Sequence, residues 1–170
     1  MTTGPAGGRQ AGPPPGRDRD AAGRPRNARP RDESGRPLAR GAPGTGPAPD
    51  EPALPPAEAL QRAQRLIDAG RPFRAHEVLE ARWKAAPAAE RDLWRGLAQI
   101  AVGLTHAQRG NASGAAALLR RGADRITGQP GSPPGIAVAA VAAAASALAD
   151  RVERDGLAAL GPGDLRLRLS

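Results

Sequence analysis

Phe73-Arg74-Ala75-His76-Glu77-Val78-Leu79-Glu80-Ala81-Arg82-Trp83 is the stretch on which the reading of this chain turns. On a helix, at about 100° per residue, Phe73, His76, Leu79, Glu80 and Trp83 share one face. Two of the chain's three aromatic residues therefore flank one of its two histidines. An imidazole and a carboxylate in the middle of a stripe expected to be buried need partners, because burying them alone costs free energy.

Working outward, the same helical period continues in both directions. Pro55-Pro56 suits a first turn, and Leu60, Ala63, Leu66 and Ile67 form a stripe that ends near Gly70. Pro72 opens the second helix, which runs to about Ala86. Pro87 stops it and starts a third over about 88–109, with Leu93, Leu97, Ile100, Leu104 and Ala107 on one face. Gly110-Asn111 marks the next junction, glycine fitting a left-handed position and asparagine capping a fourth helix over about 112–127. After the breaker at residues 128–135, an Ala-rich fifth helix spans about 136–155. Leu165, Leu167 and Leu169 then alternate with arginine in a short extended tail. The expected fold is all-α, a compact bundle of about four to five antiparallel helices with a disordered N-terminal tail.

The tail is defined by composition. Thirteen of the 19 prolines lie in residues 1–56 and 10 of the 22 glycines before residue 53, with hardly any apolar side chain larger than alanine. Such a segment cannot bury enough surface to offset its ordering entropy, so residues 1–52 read as disordered and 55–160 as the helical domain. The net charge is +8, of which the tail (nine Arg, six acids) carries +3 and the remainder (sixteen Arg or Lys, eleven acids) +5.

A positive balance can serve nucleic acid. Here 24 of 25 basic residues are arginine in an Ala-, Gly- and Pro-rich chain, the pattern of GC-rich codon usage. The tail has no aromatic residue to stack on a base and its charges are mixed in sign, which argues against nucleic acid as the partner. No cysteine is present, which excludes disulfides, thiolate metal sites and a cysteine nucleophile. The N-terminus lacks the features of a signal peptide, and the longest apolar run, 136–149, is too short and weakly hydrophobic to span a bilayer. No membrane is expected, and the expected location is the cytoplasm.

The third helix offers polar partners for the second. Gln99 and His106 are seven residues apart, two turns on one side, bordered by Gly96 and Gly103, which would let another helix come close. If the second and third helices pair as an antiparallel hairpin, His76 and Glu80 face Gln99 and His106. Three readings of that cluster follow. In the first, Glu80 accepts hydrogen bonds from His76, His106, Gln99 or an indole of Trp83 or Trp94, and the cluster fixes helix register. In the second, His76, Glu80 and His106 ligate a divalent metal, with Glu77 as general base. His76-Glu77-x-x-Glu80 resembles the His-Glu-x-x-His of zinc peptidases, although Glu80 stands where that motif has its second histidine. In the third, His76 or Glu80 binds or activates a small ligand without metal. The leading functional expectation is a domain that binds a small ligand or a protein partner; the rival is a metal-dependent hydrolase-like enzyme. Trp83 and Trp94 read as core, Glu77 as solvated or paired locally beside Lys84, and Arg120, Arg121 and Arg125 as a solvated face.

Phe73-x-x-His76-Glu77-x-x-Glu80-x-x-Trp83, then Leu97-x-Gln99-x-Ala101-x-x-x-x-His106, then Gly110-Asn111-x-x-Gly114-Ala115, resemble the small helical bacterial family known as domain of unknown function 309. The resemblance covers about residues 60–127. It implies a compact all-helical domain in which His76, Glu77, Glu80, Trp83, Gln99, His106 and Asn111 occupy the family's signature positions, and it brings no established activity. A weaker likeness, Ala107-x-x-Gly110-x-x-x-Gly114-Ala115 to the turn of a tetratricopeptide hairpin, covers one unit, too few for a solenoid.

Overall fold

A computed structural model of the chain describes Pro30, Asp32, Arg36, Leu38, Ala39 and Pro43 together with residues 53–128 and 135–169. Most of the segment expected to be disordered, and the central part of the 128–135 breaker, lie outside the described residues.

Five α-helices follow one another: α1 (Pro56–Asp68), α2 (Pro72–Ala85), α3 (Arg91–Gln108), α4 (Ala112–Ile126) and α5 (Val138–Asp155). No strand occurs among the described residues, so the all-α expectation holds. Each helix packs chiefly against the next in sequence, as short connections require. Proline sits in the first turn of both α1 and α2, where its missing N–H would have no helical partner anyway. Gly70 and Gly110 take φ of 70° and 77° at the junctions before α2 and α4, a conformation that favours glycine.

Two boundaries differ from the sequence expectation. Between Pro87 and α3 the chain first makes a 3₁₀ turn, Ala88–Glu90, so α3 begins at Arg91. That tight turn places the Glu90 carboxylate within hydrogen-bonding distance of the Trp94 indole N–H. At the other end, the core extends past residue 160. Leu167 and Leu169 are buried while Arg166 and Arg168 are exposed, the period-two alternation of an extended segment. Gln64 of α1 holds this segment as a strand would: its amide donates to the Leu167 carbonyl at 3.3 Å and its carbonyl accepts the Leu169 amide at 2.7 Å.

The core is centred on α3, where 11 of 18 residues are buried. Trp94, Leu97, Ile100 and Leu104 meet Ile67 of α1, Leu79 of α2, Leu119 and Ile126 of α4, and Val141 of α5 in one apolar cluster. Alanine supplies much of the remainder, which brings the helix backbones close. At the α3–α4 contact the approach is tightest: a Cβ on Gly103 would stand 2.9 Å from Leu119 Cγ and 3.2 Å from the Ala115 carbonyl oxygen.

The arginines of α4 do not form a purely solvated face. Arg120 bridges Asp150, at 2.7 Å, and Glu153 on α5. Hydrogen bonding from Arg120 holds the Glu153 carboxyl below its ordinary value. Arg125 reaches α3, donating to Gln99 Oε1 at 3.1 Å and pairing with Asp92 at 2.7 Å.

The C-terminal segment is fastened by Asp164, which accepts from Arg151 at 2.8 Å and from the Gly161 amide at 2.8 Å. The Arg151 hydrogen bond, aided by the Gly161 amide, depresses the Asp164 carboxyl below its ordinary value of 3.8. A carboxyl lowered in the folded state stabilises the fold above its unfolded pKa, and the contribution shrinks as pH falls through the folded one. Acid titration below about pH 4 is therefore expected to release the Gly161 amide before the helices melt, as read by backbone NMR, and Arg151→Ala, which removes the main cause of the depression, should move that step to higher pH.

Candidate functional site

The second helix carries its polar residues on a half-buried face. Among its 14 residues only Pro72, Ala75 and Leu79 are buried, and Phe73, His76, Glu80 and Trp83 are all partly exposed. His76 retains 23% and Glu80 35% of side-chain exposure, with His76 Nε2 3.8 Å from Glu80 Oε2. Lys84, one turn on, reaches Glu80 at 3.3 Å. Glu77 turns away to Arg74 at 2.7 Å, so the local pairing expected beside Lys84 is made instead with the residue three positions earlier.

Arg95 of α3 and Arg109, which caps its C-terminal end, frame this face. Arg109 lies over the Phe73 ring, 5.7 Å from its centroid, and Arg95 over the Trp83 ring at 5.3 Å. The pairs run in opposite directions along the two chains, which makes α2 and α3 antiparallel. Arg109 follows Arg95 by 14 positions, about four helical turns, so the same side of α3 and its C-terminal cap presents both. The result is a strip with a cation–π pair at each end and His76 with Glu80 between them.

The four-residue cluster expected on α2 and α3 is divided among separate partners. Gln99 and His106 do lie beside Gly96 and Gly103, and the glycines do admit another helix, but that helix is α4. A Cβ on Gly96 would meet the Gly122 carbonyl at 2.9 Å, and one on Gly114 would meet the His106 ring. Gln99 accordingly bonds to Arg125, and His106 Nδ1 meets Asn111 Nδ2 at 2.8 Å. His76, Glu80 and His106 do not form a ligand set: no group of three or more His, Cys, Asp or Glu able to hold a metal ion occurs among the described residues. The physical reason is the choice of neighbour, glycine faces pairing with glycine faces.

Asn111 performs two tasks at that corner. Its side-chain oxygen accepts the Gly114 amide at 3.0 Å, capping α4, and its amide nitrogen faces His106. Asn111→Ala is expected to lower stability by about 1 kcal/mol in denaturant titration, and Asn111→Asp, which keeps the capping oxygen, by less.

Sequence reasoning also missed the partner of Trp94. Its indole Nε1 donates to Glu90 Oε2 at 3.0 Å rather than to Glu80, and Arg82 of α2 joins the same carboxylate at 3.2 Å while lying over the Trp94 ring. The Glu90–Trp94 spacing of four was a legible signal; the contribution of Arg82, from another helix, was not.

Two clefts lie elsewhere. One of about 360 Å³ is lined by Ile67, Gly70, Gln108, Leu160, Leu165 and Arg166 among others, and one of about 530 Å³ by Thr127, Val138, Ala142 and neighbours. Neither is lined by His76, Glu80, Gln99 or His106. Among the described residues no helix is long and apolar enough to cross a membrane.

A family model described as Domain of unknown function (DUF309) matches residues 60–118, a span that runs from α1 into α4 and contains His76, Glu77, Glu80, Trp83, Gln99, His106 and Asn111. No curated protein and no solved structure matches the chain.

Proposed function

We propose that this domain is a non-catalytic binding module for a protein partner, and that the strip formed by Phe73, His76, Glu80 and Trp83 of α2 with Arg95 of α3 and the capping Arg109 is its working surface. One observation carries the reading. Of three aromatic residues, only Trp94 is sealed in the core, while Phe73 and Trp83 stay partly exposed on one face, each under an arginine. Aromatic side chains and arginine are the residues that dominate binding energy at protein interfaces. The length of the strip favours a protein over a small ligand, and neither of the two clefts described above is lined by its residues. Charge favours an acidic segment. Glu77 and Glu80 are already paired within α2, whereas the guanidinium of exposed Arg95 lies over Trp83 and can offer N–H donors to a carboxylate. The net +5 of residues 53–170 steers such a partner inward. The hydrolase reading lacks its assembled ligand set, and the His76–Glu80 pair serves here as the polar centre of the surface.

The test uses the full chain with a photo-reactive side chain at exposed Lys84, beside the strip, or at exposed Ala147 on α5 as control. A defined acidic partner should cross-link from position 84 and not from 147. Arg95→Glu should weaken binding by tenfold or more, about 1.4 kcal/mol, while leaving unfolding free energy within about 0.5 kcal/mol. Equal labelling from both positions, or binding indifferent to Arg95→Glu, would refute the assignment.

A further inference from the structure

The cleft of about 360 Å³ where α1 and α3 end against the C-terminal segment shares no residue with the α2–α3 strip. Its lining divides by chemistry. Ile67 is buried, whereas Leu157, Leu160 and Leu165 pack against the core yet stay partly exposed. Three leucines thus present apolar surface to the cleft that the fold leaves uncovered. Among the described residues that line it, Arg166 alone carries a charge.

Arg166 differs from the arginines around it. Arg151 pairs with Asp164, Arg154 with Asp155, and Arg120 with Asp150 and Glu153. Among the described residues no carboxylate pairs with Arg166, and its side chain is exposed.

The walls are preformed. The Arg166 amide donates to the Gly163 carbonyl at 3.1 Å, and the Gly161 amide bonds to Asp164, which Arg151 holds from α5. At a second wall Gln108, the last residue of α3, donates to the Gly70 carbonyl just beyond α1 at 2.8 Å. Helix C-terminal ends carry partial negative charge, so the wall made by α1 and α3 disfavours an anion. A negative group is therefore favoured beside Arg166, and apolar groups suit the remainder.

We infer that this cleft binds a small monocarboxylate with an apolar tail, its carboxylate on the Arg166 guanidinium and its tail among Ile67, Leu157, Leu160 and Leu165. Small-molecule sites are mostly apolar, with a few polar groups that fix orientation, and range upward from about 300 Å³. The present cleft lies near that lower limit, which selects a short or medium chain over a long one. The site is independent of the strip and of any protein bound there.

The probes are octanoate, 1-octanol and acetate, added to the full chain and followed by backbone amide NMR. Octanoate should shift the amides of Gly70, Gln108, Gly161, Leu165 and Arg166 saturably, with half-saturation at about 1 mM or below. Octanol, which lacks the charge, and acetate, which lacks the tail, should each bind more weakly. Arg166→Gln should weaken octanoate about two- to fivefold, the range of an exposed ion pair, and leave octanol unchanged. Leu160→Ala should weaken both. Absence of saturable shifts at these amides overturns the site. Octanol binding as tightly as octanoate, or an Arg166→Gln protein that binds octanoate like the parent, overturns the carboxylate. Acetate binding as tightly as octanoate, or Leu160→Ala without effect on either long probe, overturns the placement of the tail.

Discussion

Trp94→Ala lowers the unfolding free energy by about 3–5 kcal/mol, the range for truncating a buried large aromatic side chain. Trp94 has no exposed surface and lies at the centre of the apolar cluster formed by α1 to α5. The substitution leaves a cavity that neighbouring alanines are too small to refill. It also removes the donor to Glu90 and the ring beneath Arg82, so a carboxylate and a guanidinium that are partly buried lose a shared partner. A domain of this size has a total stability of about 5–15 kcal/mol. The loss is therefore a large fraction of the whole, and chemical denaturation followed by far-ultraviolet circular dichroism should show it as a large fall in midpoint. Glu90→Gln, which keeps an acceptor for the indole, should fall well short of this effect. A Trp94→Ala midpoint close to the parent's would show that the third helix does not anchor the core.

Gly122→Val is the second large effect, and its cause is the opposite one, excess rather than missing volume. A Cβ at Gly122 would stand 2.6 Å from Ile100 Cγ1, 2.8 Å from the Gly96 carbonyl oxygen and 3.0 Å from the Ile100 amide nitrogen. The last two are helix backbone and cannot rotate away. The reciprocal holds for Gly96, whose Cβ would meet the Gly122 carbonyl and Ile126. The two helices thus fill each other's missing side chains, and valine forces α3 and α4 apart along their whole contact. Overpacking a well-packed site typically costs about 1–3 kcal/mol, occasionally more. Here two backbones must separate, and with them the Arg125 bonds to Gln99 and Asp92, so the upper end or loss of cooperative unfolding is expected. Gly163→Ala is the matched control. Nothing lies within 4 Å of its added Cβ, and its stability should stay within about 0.5 kcal/mol of the parent. A Gly122→Val protein as stable as that control would contradict the close α3–α4 approach.

The same contact explains what could and could not be foreseen at the candidate site. That Gly96 and Gly103 admit a neighbour was legible, because a missing Cβ on one helix side is a property of the sequence. Which neighbour was not. Alpha 3 offers apolar or small residues on most of its circumference, so the helical period does not choose between α2 and α4. The stacking arginines show a related limit: Arg95 and Arg109 share a side of α3 by spacing, yet their meeting with Trp83 and Phe73 needed the antiparallel register of two helices. The N-terminal segment was read from composition as lacking structure. Composition weighs burial against ordering entropy, and that balance is what separates residues 1–52 from the helical domain.

The sequence by itself determined the helices, their punctuation by Pro72, Pro87 and Gly110-Asn111, and the inward alternation of the last leucines, because each follows from backbone chemistry within a few residues. Only the tertiary structure decided that Gln99 and His106 serve α4 while His76 and Glu80 stay on a half-buried strip with Phe73 and Trp83. That division comes from backbone-to-backbone approach between glycines distant in the chain, a constraint that no local period contains.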